Sequence, residues 1–271
     1  MALAVAQLIA DCRGGGTASV VAVPEQDDRS NPAVELVTAD ALGTLAIEHT
    51  LIEPYPGQIQ DNVQISPYVE TLPTMLEDRL PVGSRFQLIL DPCVVNGIKP
   101  TQEVLDAIVK WVVTTAPHLE DGHPGIDGRH MAKGEPPDVP FPITLVRWPR
   151  RVDDTLPPVL IARSCPPDLE ELRRQRLVTA LEKKLPKLTA AGEKGHQGVL
   201  VIESRDFALS NSVTISAALF AASDEVTDPL PSWIILWQQV GDAAFEWTLR
   251  ADGEWIGTPH QHVLPAVRHP R

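Results

Sequence analysis

Two glutamates on neighbouring predicted strands, Glu35 and Glu48, have the types and spacing most suited to chemistry. They lie in runs of alternating β-formers, residues 34–39 and 44–52, which flank a turn at residues 40–43. Asp at the first and Gly at the fourth turn position fit a type I turn, and a turn centred there places Glu35 opposite Glu48. Two adjacent carboxylates need a cation, a shared proton or solvent. We therefore expect either a cation site or a solvated face.

The chemistry that such a pair predicts is divalent-cation binding. Mg²⁺ is bound in proteins through few carboxylates and keeps several waters. A cation held in this way can generate hydroxide and stabilise a phosphoryl oxyanion. Glu35 and Glu48 would supply carboxylates and His49 its backbone carbonyl, with Mg or Mn as the expected cofactor. Asp40 is an alternative first acid, although the turn separates it from Glu48 by several residues.

The order of acids and strands resembles the PD-(D/E)XK nuclease superfamily, which has the restriction-endonuclease-like fold. In that family an acid on one strand precedes Glu-x-Lys on the antiparallel neighbour. Here Pro-Ala-Val-Glu at 32–35 replaces the usual Pro-Asp, and Glu-His-Thr at 48–50 replaces Glu-x-Lys. The family core runs helix, three strands, helix, strand, and we match its last two elements to residues 58–80 and 85–90. The resemblance implies metal-dependent phosphodiester hydrolysis.

Position 50 departs from the family pattern, because Thr50 cannot supply the ammonium of the missing lysine. Some members of the superfamily carry this lysine on a neighbouring helix. Lys183 and Lys187, which share a helix face at i, i+4, are the expected replacements, with Lys184 beside them. In some members of the superfamily a Gln lines the site, and Gln58 and Gln60 are the candidates for that role in this chain.

The charge distribution sets the expected partners. A net charge of −13 argues against a general nucleic-acid coat. Residues 143–194 are nevertheless basic, with 11 Lys and Arg against 7 Asp and Glu. The predicted nucleic-acid contacts in this segment are Arg147, Arg150, Arg151, Arg173 and Lys184. The alternative for residues 143–194 is a solvated helix face. For the whole chain, the alternatives are a hydrolase of a small phosphorylated molecule and an inactive binding or assembly protein. The possible partners of the chain are a second copy of itself, in a homodimer, or another protein.

Alternation of helices and strands predicts an α/β fold with a mixed central sheet flanked by helices. The longest helix pattern covers residues 168–190, and the apolar run 198–203 reads as a strand buried on both faces. We expect a nuclease-like core at 1–92 and a continuation of the same domain at 93–257, with a flexible loop at 117–142. Residues 258–271 would form a loose tail.

The cysteines and the hydropathy pattern favour a cytoplasmic protein. The 3 cysteines are scattered, which predicts neither a disulfide framework nor a thiolate zinc site. The first residues lack the charged segment of a signal peptide and read as a helix. No run reaches the roughly 18 apolar residues of a membrane span, so no membrane partner is expected.

Overall fold

The computed structural model describes residues 1–24, 33–91, 95, 98, 100–122, 128–149, 157–206, 209–240 and 243–264, with the backbone alone at 239, 240, 243 and 258–264. The chain forms two compact units, one from Met1–Pro56 with Asp168–Arg271 and the other from Gly57–Pro167. Both are mixed α/β, which confirms the predicted fold class. The division differs from the predicted one at residue 92, because residues 57–167 build a sheet of their own.

The helices and strands follow one another along the chain as listed here. They are α1 (Ala2–Arg13), β1 (Ser19–Ala22), β2 (Leu36–Asp40), β3 (Gly43–Leu51), α2 (Gln58–Leu76), β4 (Ser84–Leu90), α3 (Gln102–Thr115), a 3₁₀ turn (Ala116–His118), β5 (Met131–Gly134), β6 (Ile143–Pro149), β7 (Val159–Arg163), α4 (Leu169–Glu193), β8 (Gln197–Ser204), α5 (Ser212–Ser223), β9 (Trp233–Val240), β10 (Ala243–Ala251) and β11 (Glu254–Leu264).

A seven-stranded sheet forms the centre of the first unit, in the order β1-β2-β3-β8-β9-β10-β11. The first three strands are antiparallel, β3, β8 and β9 are parallel, and β9, β10 and β11 are again antiparallel. Within this unit the chain runs through α1, β1–β3, α4 and β8 before α5 and the last three strands. Residues 58–80 and 85–90, which we expected to continue the same core, belong to the other unit, where β4 pairs with β6 and β7.

Both faces of this sheet are covered by helices. Along β8, Val199 and Val201 pack in one apolar cluster with Val5 and Ile9 of α1. The alternate residues of β8 pack in a second cluster with α4 and α5, as the period of two in a strand requires. The predicted burial of this strand on two faces is confirmed. The expected solvated face of the hairpin is wrong, because α4 packs against it.

The hairpin has the predicted register. Leu36 pairs with Ile47 and Thr38 with Leu45, and the ladder closes where Asp40 meets Gly43. Asp40 belongs to the turn: its carboxylate accepts a hydrogen bond from the Leu42 amide at 2.8 Å and pairs with Arg13. Burial alone would raise the pKa of Asp40, but the bonds from Arg13, Leu42 and Gly43 outweigh it and lower that pKa. This residue therefore has a structural role.

Gly15, just after α1, is the residue on which this turn depends. A Cβ added to Gly15 would lie 2.8 Å from Cγ and Oδ2 of Asp40. The Gly15 carbonyl accepts a hydrogen bond from the Ala41 amide. We expect Gly15→Ala to displace the carboxylate from Arg13 and to lower the free energy of unfolding by about 1–3 kcal/mol. Urea unfolding measures this change.

Gly192→Ala is the matched control for that substitution. A Cβ on Gly192, near the end of α4, would meet nothing within 4 Å. Alanine favours a helix over glycine by up to about 1 kcal/mol, so this variant should be neutral or stabilised. Equal unfolding midpoints for the two variants would contradict the role given to Gly15.

The second unit contains a four-stranded sheet in the order β5-β6-β4-β7. β4 is antiparallel to β6 and parallel to β7. Its core includes Tyr68 of α2, Phe86 of β4 and Ile108 of α3, and the Tyr68 ring meets that of Phe141 edge-on. The helix α2 runs without a break through Pro67 and Pro73.

Two segments expected to lack structure contain strands. The predicted flexible loop at 117–142 includes β5, although residues 123–127 lie outside the described part. The predicted loose tail from residue 258 continues β11 as far as Leu264, where it pairs with β10, and residues 265–271 lie outside the description. Among the described residues, no helix is long and apolar enough to cross a membrane.

Candidate active site

Glu48 lies in the middle of β3, on the sheet face that α4 covers. Its side chain has no exposed surface, and its neighbour Ala46 on the same face belongs to the apolar cluster beneath α4. Three donors bind the carboxylate: Lys184 at 2.6 Å, Lys187 at 3.3 Å and the backbone amide of Glu35 at 3.1 Å. A buried carboxylate requires such partners to remain charged. Glu48 is thus an enclosed but fully bonded acid.

Glu35 stands directly before β2 and lies beside Glu48. It is not part of the strand ladder, which begins at Leu36, but its amide bonds Glu48 and its carboxylate accepts from Lys184 at 2.9 Å. The side chain is 31% exposed, against 0% for Glu48. The structure therefore brings the two predicted acids together, with one open to solvent and one enclosed.

The cations come from α4, as expected, but the bridging lysine differs from the one predicted. Lys184 and Lys187, at i, i+3, face the sheet, and the ammonium of Lys184 bridges the two carboxylates. Lys183, predicted to share the site, is exposed on the helix. Lys184, predicted as a nucleic-acid contact, is instead buried in the acid cluster. We call Glu35, Glu48, Lys184 and Lys187 the charged cluster.

Burial and pairing act against each other in the charged cluster. Burial raises the pKa of Glu48 above its ordinary value, and the nearby Lys184 and Lys187 only partly reverse this. Burial lowers the pKa of Lys184, but its hydrogen bonds to Glu48 and Glu35 outweigh this effect, so that its pKa is raised. The Lys184 amine is therefore an ammonium at neutral pH and can donate hydrogen bonds but cannot act as a base.

His49 lies on the opposite face of the sheet from Glu48, as adjacent residues of a strand must. Its Nε2 is 3.0 Å from Oε2 of Glu203, whose other oxygen accepts from Arg205 at 2.7 Å. The hydrogen bond to His49, followed by that from Arg205, lowers the pKa of Glu203 to about 2 against the effect of burial. The His49 ring thus belongs to a separate cluster, and only its backbone remains for the predicted role.

Thr50, Gln58 and Gln60 complete the predicted site residues. Thr50 pairs with Ile202 of β8 and, by strand alternation, lies on the same face as Glu48. Gln58 and Gln60 occupy the first turn of α2 in the other unit, where Gln58 is buried and Gln60 exposed.

Two of the arginines predicted to contact nucleic acid, Arg147 and Arg173, make internal contacts. Arg173 is buried and donates to the Leu209 carbonyl, so a surface role for it was wrong. Arg147 binds Asp121 at 2.8 Å and the Leu119 carbonyl at 2.6 Å within the second unit. Arg150 and Arg151 lie outside the described residues. The described structure thus gives Arg147 and Arg173 structural partners.

The donors available to a metal are few. Within the described ranges, no group of three or more His, Cys, Asp and Glu side chains is placed to hold a metal ion. A cation bound at the charged cluster would therefore have Glu35 and Glu48 as its acidic ligands, with waters or a backbone carbonyl completing a coordination that Mg²⁺ tolerates.

Comparison with known proteins gives no match, since no family model fits the chain and neither a curated protein nor a solved structure is significantly similar to it.

Proposed function

We propose that the chain is a divalent-cation-dependent phosphodiester hydrolase that acts on nucleic acid in the cytoplasm, with Glu35, Glu48 and Lys184 at its active site. One observation carries the proposal: a single helix ammonium lies 2.6 Å from one carboxylate and 2.9 Å from the other on one sheet face. The helix α4 thus supplies the ammonium that Thr50 does not. The element order α1, β1–β3, α4, β8 supports the same resemblance to the PD-(D/E)XK superfamily.

The two carboxylates fit a hard divalent cation. Acids close enough to share an ammonium can share Mg²⁺ or Mn²⁺, and the exposed side of Glu35 leaves an approach from solvent. Such an ion would supply an activated water and neutralise charge on the phosphoryl oxygens. Its binding competes with Lys184, because both cations use the same carboxylate oxygens.

The chain's own residues then have defined roles. Glu35 and Glu48 would hold the divalent cation beside the scissile phosphate. The Lys184 ammonium would donate hydrogen bonds to the attacking water or to a phosphate oxygen. The water oxygen forms a bond to phosphorus while the bond from phosphorus to the ester oxygen breaks. The water proton passes to solvent, and the departing alkoxide takes up a proton.

Metal-dependent cleavage of DNA tests the proposal. We expect cleavage with Mg²⁺ or Mn²⁺ that EDTA abolishes, and a rate that falls at least about 100-fold in Glu48→Gln and in Lys184→Gln. Lys183→Gln, on the exposed side of α4, should stay within about twofold of the unchanged chain. Cleavage that survives Glu48→Gln, or no cleavage with either metal, would contradict the proposal.

A second function, that of an inactive binding or assembly protein, is favoured by the completeness of the internal pairing. Both oxygens of Glu48 are bonded to donors of the chain, and the side chain has no exposed surface. Ion-pair networks of this kind also occur for structural reasons. In this case Glu48→Gln would change stability only, and the chain would bind no Mn²⁺.

A further inference from the structure

A small cavity with basic side chains adjoins the charged cluster. It has a volume of about 70 Å³ and lies beside the last two turns of α4. Lys187, Lys194 and His196 line it together with apolar residues, and none of the described residues that line it carries a carboxylate. One water needs about 10–15 Å³ of such space, so the cavity can hold a group of waters or one tetrahedral oxyanion.

The cavity is connected to the proposed active site through Lys187. Its ammonium lies 3.3 Å from Oε1 of Glu48 and also lines the cavity. Within the charged cluster the two ammoniums balance the two carboxylates, and Lys194 adds a further positive charge on the cavity side. His196 is held by Thr44, with its Nδ1 2.6 Å from the hydroxyl. These groups favour an anion next to, but distinct from, the position between Glu35 and Glu48.

The sequence of α4 provides both the charge and the space. Lys184 and Lys187 of α4 and Lys194, which directly follows the helix, recur at i, i+3 and i+10, close to one stripe. Between them the cavity wall is made by Ala190 and Ala191, whose side chains are small enough to leave it open. The carbonyl end of α4 opposes an anion, so binding must depend on the side-chain cations.

We infer that this cavity is a phosphate subsite, which holds a phosphate group of the substrate other than the one that is hydrolysed. The inference rests on the proposed function for its biological meaning, and it narrows the substrate class to molecules with more than one phosphate. A polynucleotide supplies this group as a phosphodiester, and a phosphorylated nucleotide supplies it as a monoester. The shared chemistry is a tetrahedral phosphate oxyanion.

Calorimetric titration of the full chain with inorganic phosphate, in EDTA, tests the subsite without turnover. We expect saturable binding that weakens about tenfold in Lys194→Gln, because one charge-assisted contact is lost. Ala190→Leu should weaken it comparably, since the larger side chain fills the cavity and leaves every charge in place. Lys183→Gln removes one lysine of the same helix outside the cavity and should change the affinity less than twofold. Because Lys194 is exposed, Lys194→Gln decides the result if Ala190→Leu does not fold.

An oligothymidylate identifies the source of the phosphate. If it displaces inorganic phosphate, and Lys194→Gln weakens its own binding, the subsite accepts a polynucleotide phosphodiester. If inorganic phosphate alone shows the expected pattern, the subsite accepts free phosphate or a monoester. Absence of saturable binding for both probes, or an equal loss in Lys183→Gln, would overturn the inference. Phosphate binding without any metal-dependent cleavage would support the subsite and contradict the hydrolase, and cleavage without this binding would do the reverse.

Discussion

Lys184→Met should lower the free energy of unfolding by about 3–5 kcal/mol at pH 8, the cost of removing one partner from a buried ion pair. The Lys184 ammonium contacts Glu48 at 2.6 Å and Glu35 at 2.9 Å, and methionine preserves most of its volume without the charge. The two carboxylates would then be neighbours with Lys187 as the one remaining cation of the charged cluster. Urea unfolding at several pH values measures the loss.

The pH dependence of this loss has a definite sign. Burial already raises the pKa of Glu48, and removal of Lys184 raises it further. A carboxyl whose folded pKa exceeds its unfolded one destabilises the fold as the pH rises through that range. The penalty of Lys184→Met should therefore shrink as the pH falls and Glu48 takes up a proton.

Two further variants isolate the pairing. Glu48→Gln combined with Lys184→Met should lose less than the sum of the single variants, because each single change leaves the other charge unpaired. Lys183→Met, on the exposed side of α4, should stay within about 0.5 kcal/mol of the unchanged chain. Equal losses for Lys183→Met and Lys184→Met would contradict a buried bridge.

Glu246→Gln should remove a large part of the pH dependence of stability. Glu246, in β10, has no exposed surface, and neither carboxylate oxygen has a hydrogen-bond partner in the described structure. Burial raises its pKa from 4.5 to about 7, against a small opposing effect of the N-terminal ammonium. The folded chain therefore binds a proton at Glu246 that the unfolded chain releases at lower pH.

The sign of the effect follows from this difference. The stability contributed by protonated Glu246 is fully present below pH 4.5, the ordinary pKa, and is lost as the pH rises to about 7. The loss amounts to roughly 3 kcal/mol, since each pKa unit corresponds to about 1.4 kcal/mol. Unfolding free energies between pH 4 and pH 8 should fall less steeply in Glu246→Gln by about that amount. Glu254→Gln, at an exposed position of β11, should keep the original slope.

Local signals in the sequence were sufficient for the hairpin. The turn residues between Asp40 and Gly43 determine its register, which the structure confirms. The element that covers each face of the hairpin is distant in sequence. The sequence pattern therefore did not reveal that α4 lies over Glu48. In the same way, nothing local to residues 58–90 shows that β4 pairs with β6 and β7 instead of joining the first sheet.

The position of Lys184 could have been predicted from the sequence. Leu177, Leu181, Leu188 and Ala191 form the buried stripe of α4, at spacings of 4, 7 and 3 residues. Leu185 is also buried in this stripe, and Lys184 lies beside it, three residues after Leu181 and four before Leu188, so helical spacing predicts that Lys184 faces the sheet as well. Our choice of Lys183 and Lys187 rested only on the spacing between the lysines. It did not take into account which face of α4 contains the buried leucines.

A calorimetric titration with Mn²⁺ tests most directly whether Glu35 and Glu48 form a cation site. We expect the unchanged chain and Lys183→Gln to bind Mn²⁺ alike, and Glu48→Gln, which removes one of the two carboxylates, to show no saturable binding. Absence of binding to the unchanged chain at millimolar Mn²⁺, or binding that Glu48→Gln retains, would contradict the account.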